Sequence, residues 1–245
     1  MRLTFVGCGD AFGSGGRLNT CFHVATGGTN FLIDCGASSL IAMKAQGVDR
    51  NAIDTILITH FHGDHFGGIP YFMLDAQFFS KRSTPLIIAG PKGLKDWFTR
   101  VMEATFPGSS TTKQRFELEL RELAVGGPVA FPCFDVSSAR VRHGDPEGPF
   151  YAYRINIEGK VLAYTGDTEW TDSLLAIGEQ ADLLIAEAYF YDKQVPLHLD
   201  LATLETKLPL MKPKRLILTH MNDDMLRRVP TLPHECAEDG KVVEI

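Results

Sequence analysis

Thr59-His60-Phe61-His62-Gly63-Asp64-His65 is the stretch from which the fold can be read. It places three imidazoles and one carboxylate within the six residues from His60 to His65. Imidazole suits zinc, iron and related ions, and carboxylate suits harder ones. The preceding Asp54-Thr55-Ile56-Leu57-Ile58 reads as a buried strand that releases its last residues into a loop. His60 and His62 stand two apart, so an extended or loop backbone can point both the same way. Asp64 and His65 follow a turn at Gly63. The stretch can therefore offer two pairs of ligands to two adjacent metal ions.

The same device recurs further along. Leu216-Ile217-Leu218-Thr219-His220 echoes Ile56-Leu57-Ile58-Thr59-His60. Leu162-Ala163-Tyr164-Thr165-Gly166-Asp167 and Leu183-Leu184-Ile185-Ala186-Glu187 are also apolar runs ending in a ligand-capable side chain. Continuous apolar runs imply strands covered on both faces by helices. Ligands at the ends of several such strands converge at one edge of the sheets. This predicts one layered α/β domain over residues 1–245. Beyond the opening stretch, His143, Asp167 and His220 are the candidate ligands. Each alone reads equally as a satisfied core histidine or a capping aspartate; together with the opening stretch they read as a site.

Other strands are expected at Leu3–Val6, Asn19–Ala25, Asn30–Asp34, Pro85–Ala89, Phe134–Val141 and Tyr151–Ile157, with Val129–Phe131 a short one. Helices are expected at Ser39–Gln46, from Gly67 to about Phe79, from Gly93 to about Thr105, near Thr171–Ile177 and at Leu201–Leu210. The tail reads as short. Gly7-Cys8-Gly9-Asp10-Ala11-Phe12-Gly13-Ser14-Gly15-Gly16 could cradle a phosphate, but it matches neither a nucleotide P-loop nor GxGxxG. Asp34, just before Cys35-Gly36, either braces metal ligands or caps the helix from Ser38 onward.

The HxHxDH pattern of His60, His62, Asp64 and His65, with His143, Asp167 and His220, resembles the metallo-β-lactamase fold superfamily along essentially the whole chain. The resemblance implies a four-layer αββα sandwich with a dinuclear site at one edge. One metal would take His60, His62 and His143, the other Asp64, His65 and His220, with Asp167 bridging them. Asp34 matches an early carboxylate that supports the ligands. Within the superfamily, the chain is similar to the ribonuclease Z-like branch. The residues that carry this are His143 followed by Tyr153-Arg154-Ile155, Gly90-Pro91-Lys92-Gly93-Leu94, and Asp182-Leu183-Leu184-Ile185-Ala186-Glu187-Ala188 followed by His198. In that branch the matching His donates a proton or hydrogen bond at the scissile phosphate and the matching Glu orients it.

The function implied is a phosphodiesterase using two divalent metal ions, zinc first and manganese or iron as alternatives, with a metal-bridging hydroxide as nucleophile. Asp64, His198 and Glu187 are the expected catalytic residues. The substrate is a small or nucleotide-type phosphodiester. Leu199-Asp200 after His198 departs from the branch, which carries a small hydroxyl residue there. No long glycine- and proline-rich arm lies between Gly166 and His198. With a net charge of −6, this argues against tRNA. The alternatives are a hydrolase of another ester class (thioester, lactone or β-lactam), a redox-active iron protein, and a non-catalytic metal-binding module.

At 245 residues, 44% apolar and 22% charged, the composition is that of a globular protein. Five cysteines without a CxxC pair fit free thiols in a reducing, cytoplasmic setting. The N-terminus lacks a signal-peptide core, and no apolar run reaches the ~18 residues of a membrane span. A homodimer is expected by resemblance alone.

Overall fold

The run that delivers the histidines is buried throughout: Ile56, Leu57 and Ile58 have no exposed surface. Its ordered core, the strand Thr55–Leu57, runs parallel to Asn30–Ile33 on one side and Leu86–Pro91 on the other. A strand with neighbours on both edges must be apolar on both faces, which explains the unbroken run rather than an alternation.

The computed structural model describes residues 1–245, and the chain folds into two compact units. The first comprises Met1–Gly7, Leu18–Leu123 and Asp239–Glu244. Its seven-stranded sheet runs, in spatial order, Val242–Glu244, Arg2–Gly7, Cys21–Ala25, Asn30–Ile33, Thr55–Leu57, Leu86–Pro91 and Leu118–Leu123. The first four strands alternate in direction and the rest are parallel. Three helices, Ser39–Ala45, Ile69–Leu74 and Leu94–Thr105, contribute buried residues to its core. On the last of these, Leu94, Phe98 and Met102 recur every four residues and are the buried positions.

The second unit contains Cys8–Arg17 and Ala124–Glu238. Its seven strands lie in the order Glu235–Cys236, Leu216–Thr219, Leu183–Glu187, Lys160–Tyr164, Tyr151–Ile157, Phe134–Arg140 and Gly126–Ala130. The first four are parallel, so Lys160–Tyr164, Leu183–Glu187 and Leu216–Thr219 all end at the same edge. Asp167 lies just beyond the first of these strands, Glu187 ends the second and His220 directly follows the third. No helix is long and apolar enough to cross a membrane.

Three local expectations differ from the fold. Gly63 opens a one-turn helix, Gly63–Phe66, rather than a loop turn. The strand expected at Val129–Phe131 is Gly126–Ala130, its register shifted by an irregularity next to Gly127-Pro128. The tail is not a simple short end. It holds the helix Asp223–Arg228, whose first turn is capped by the Asn222 side chain accepting from Met225 N at 3.1 Å. It also holds an edge strand for each sheet, Glu235–Cys236 and Val242–Glu244.

Candidate metal centre

In the first unit, Thr59, His60 and His65 are fully buried, Asp64 nearly so, and His62 is exposed. The His60 ring lies 4.6 Å from His62 and 4.1 Å from His65, centroid to centroid. Asp34 organises this cluster. Its carboxylate accepts from Thr59 N at 2.8 Å, from Thr59 Oγ1 at 2.9 Å and from His65 Nδ1 at 2.8 Å. Asp34 thus braces the histidines and does not cap the following helix, whose N-cap is Ser38. Burial raises the Asp34 carboxyl above its ordinary range, against the pull of His65 and Thr59.

Hydrogen-bond accounting then fixes tautomers. The Thr59 hydroxyl has one proton and gives it to Asp34, so the His60 Nδ1 contact at 3.1 Å is His60 donating to Thr59. His65 donates its Nδ1–H to Asp34. Both rings thus turn Nε2, not Nδ1, away from these partners, the orientation of a metal-ligating histidine. His65 Nε2 faces Asp64 Oδ2 at 3.3 Å.

The motif is held against the Asp34–Ala37 segment by Cys35 N→His65 O at 2.7 Å, Ala37 N→Gly63 O at 3.1 Å and Gly68 N→Cys35 O at 2.9 Å. This approach is so close that a Cβ on Gly36 would stand 2.1 Å from the Asp64 carbonyl oxygen. Gly36→Ala is therefore expected to cost about 1–3 kcal/mol, lowering Tm by roughly 2–4 °C per kcal/mol in thermal denaturation. An unchanged Tm would mean the two segments do not depend on this contact.

In the second unit, Asp167, Glu187 and His220 follow or end the three parallel strands, and His143 joins them from the end of Phe134–Arg140. His143 donates Nδ1–H to the Leu197 carbonyl at 2.8 Å, and its Nε2 faces Asp167 Oδ2 at 3.7 Å. His220 Nε2 stands 3.0 Å from the same Asp167 oxygen, and its Nδ1 lies 3.4 Å from Glu187 Oε1. Asp167, Glu187, His198 and His220 each offer a ligand atom within 4.8 Å of the others.

Glu187 is fully buried. Its Oε2 accepts from Thr168 N at 2.8 Å and Leu199 N at 3.2 Å, and its Oε1 from His198 Nδ1 at 2.5 Å. His198 stacks on Tyr189 with centroids 4.4 Å apart. Burial lowers the His198 pKa, but the hydrogen bond and charge of Glu187, with Asp167 behind, carry it above the ordinary histidine value. His198 is thus biased towards imidazolium, with Nδ1–H on Glu187 and a second proton on Nε2.

Strain collects here. Asp34, Leu197 and His220 have φ of 60°, 72° and 54°, in the left-handed region that non-glycine residues avoid. Two participants had no sequence signal: Tyr189, which packs on His198, and Leu197, which acts through its backbone carbonyl. Four amides of the glycine-rich loop are already committed. Phe12 N and Ser14 N already donate to Asp10 at 3.1 and 3.0 Å, Gly15 N to Asp223 at 2.9 Å and Gly16 N to Gly13 O at 2.9 Å.

The donors fit metal ions: imidazole nitrogens with fixed tautomers, beside carboxylate oxygens. The family model described as Anti-Pycsar protein Apyc1 matches residues 1–236. The chain belongs to that family. This Apyc1-family chain is 25% identical to Ribonuclease Z of Archaeoglobus fulgidus, over 91% of its own length and 87% of the relative's. It superposes on human tRNase Z, short form, with a TM-score of 0.81 and 27% identity, covering 100% of this chain and 99% of that one. The metallo-β-lactamase fold protein YhfI of Bacillus subtilis gives a TM-score of 0.81 at 23% identity, covering 99% of each chain, and shares the fold. The metallo-β-lactamase fold and the ribonuclease Z-like kinship expected from the motifs hold, and the chain is a metal-dependent hydrolase.

Proposed function

We propose that this Apyc1-family chain is a dinuclear metal-dependent phosphodiesterase acting on a small or nucleotide-type phosphodiester. One observation carries the reading. The Nε2 atoms of His65, His143 and His220 each face a carboxylate oxygen, at 3.3, 3.7 and 3.0 Å. Two acceptors turned towards each other repel unless a cation lies between them. Protons could serve, but His143 and His220 both face the one Asp167 oxygen, which a metal ion satisfies better than two adjacent buried imidazoliums.

By the family pattern, His60, His62 and His143 would hold one ion and Asp64, His65 and His220 the other, with Asp167 available to either. Zinc suits this nitrogen-rich set, with manganese or iron as alternatives. When bound, the ions supply an activated water and neutralise charge on the phosphoryl oxygens. Asp64 would also orient the attacking water. Asp34 and the Leu197 carbonyl keep the imidazoles turned with Nε2 inward. His198, fixed through Nδ1 by Glu187, gives its Nε2 proton to the leaving oxygen as the P–O bond breaks. The relatives named ribonuclease Z and tRNase Z support this reaction class.

Chelator treatment is expected to abolish hydrolysis of bis-p-nitrophenyl phosphate, and zinc or manganese to restore it. Hydrolysis that survives chelation would contradict the reading. Faster turnover of a lactone or thioester under the same conditions would favour another ester class.

A further inference from the structure

The His198 imidazole is held by one hydrogen bond, from Nδ1 to Glu187 Oε1. That bond fixes the direction of Nδ1 but lets the ring rock about the line joining the two atoms, which moves Nε2. A second constraint has to set the plane of the ring. The Tyr189 ring lies against the face of His198, centroids 4.4 Å apart and planes 26° from parallel. His143 meets the same imidazole edge to face, at 4.8 Å and 77°. We propose that Tyr189 is a positioning residue, whose ring face fixes the plane of the His198 imidazole and hence the direction in which Nε2 delivers its proton. The destination of that proton rests on the phosphodiesterase reading; the orientation of the ring does not.

Tyr189 is anchored where this constraint has to act. Its amide donates to the Leu199 carbonyl at 2.8 Å, on the residue that follows His198. Its own carbonyl accepts from Asn222 N at 3.2 Å, two residues beyond His220. Phe190, the next residue, accepts from Leu201 N at 2.9 Å and meets the Tyr189 ring edge to face at 5.0 Å. The segments that carry His198 and His220 are thus tied to the backbone of the residue that supplies the ring. The same ring lies 6.0 Å from His220, tilted by 40°, and the two imidazoles stand 6.0 Å apart with planes 14° from parallel. A planar face against an imidazole opposes rocking, because the ring cannot turn without losing the stack. An aliphatic side chain offers no such face. The contact is made by the ring and not by the hydroxyl, so phenylalanine should serve as well as tyrosine. Burial, with Asp10, Glu187, Asp167 and Asp223 nearby, pushes the phenol above its ordinary pKa, so Tyr189 brings no charge of its own to His198.

The test compares Tyr189→Phe, which keeps the ring, with Tyr189→Leu, which removes it, in the full-length protein as purified. The first readout is ¹³C relaxation of the His198 Cε1–H group, assigned by its loss in His198→Ala. Tyr189→Phe is expected to leave the imidazole as ordered as in the unaltered protein, and Tyr189→Leu to raise its mobility. The second readout is kinetic. On a dinucleoside monophosphate Tyr189→Leu is expected to lower kcat about 10–100-fold, the scale of a misplaced catalytic group, with KM and bound metal little changed. Turnover of bis-p-nitrophenyl phosphate, whose leaving group needs no proton, should be spared, and Tyr189→Phe should match the unaltered protein on both esters. An imidazole equally ordered in Tyr189→Leu, an equal loss on both esters, or a Tyr189→Phe protein as impaired as Tyr189→Leu would each overturn the proposal. The last outcome needs only the conservative variant, so a Tyr189→Leu protein that fails to fold does not protect the proposal. If the unaltered protein hydrolyses neither ester, the phosphodiesterase reading falls, and the relaxation measurement still decides whether Tyr189 sets the ring.

Discussion

His198→Ala is expected to lower kcat about 10²–10⁴-fold on a dinucleoside monophosphate while leaving the bound metal unchanged. The alkoxide leaving group of that substrate needs the proton that His198 supplies. On bis-p-nitrophenyl phosphate the loss should be much smaller, because a nitrophenolate departs without one. A merely structural role would reduce both substrates alike, so the ratio between them is the diagnostic. Glu187→Gln should follow His198→Ala in this ratio. An amide lacks the charge that favours the imidazolium, so the ring is left neutral and its Nε2–H becomes a far weaker acid. Equal losses on both substrates, or no loss on either, would remove His198 from proton transfer. Steady-state kinetics on the two esters, with metal content measured on the same samples, decides it.

Asp34→Ala is expected to have the largest effect on stability and metal binding together. The residue is fully buried and satisfies Thr59 N, the Thr59 hydroxyl and His65 Nδ1. Removing one partner of such a buried charged group costs ~3–5 kcal/mol, since the donors left behind have lost their water as well. Releasing the Nδ1 atoms also frees the imidazoles to rotate and change tautomer, so metal affinity should fall about 10–100-fold. Asp34→Asn separates the two effects. It keeps an acceptor for Thr59 but loses the charge opposite His65, so it should recover much of the stability and little of the affinity. Chemical denaturation and competitive chelator titration measure the two quantities. An Asp34→Ala protein with unaltered metal affinity would show that this carboxylate does not orient the ligands.

Much of this was legible in the chain because burial and chemistry alternate at short range. An apolar strand must be unbroken when both faces are covered, and its first polar residue must then lie at the sheet edge. Ile56–His60, Leu162–Asp167, Leu183–Glu187 and Leu216–His220 all obey that rule, which is why the sheets and the candidate residues could be placed together. What could not be read depends on long-range pairing. Whether Asp34 would cap a helix or brace His65 was undecided, because it turns on a contact 31 residues away. Leu197 contributes a carbonyl, which has no side-chain signature. In the glycine-rich loop only the Asp223 oxygen on Gly15 N comes from tertiary folding; the Asp10 carboxylate that takes Phe12 N and Ser14 N is a local turn contact that the sequence did offer. The tail did carry one unused signal. Asn222-Asp223-Asp224, a capping residue with acids in the first turn, marks the helix Asp223–Arg228. The two edge strands beyond it are too short for alternation to reveal.

The central claim is the proposal that His60, His62, Asp64, His65, His143, Asp167 and His220 serve as ligands for a pair of metal ions. Elemental analysis of the protein, purified without added metal and without chelator, tests it most directly. About two transition-metal ions per chain is the predicted result. A protein that carries none, and gains none on incubation with zinc or manganese, would contradict it.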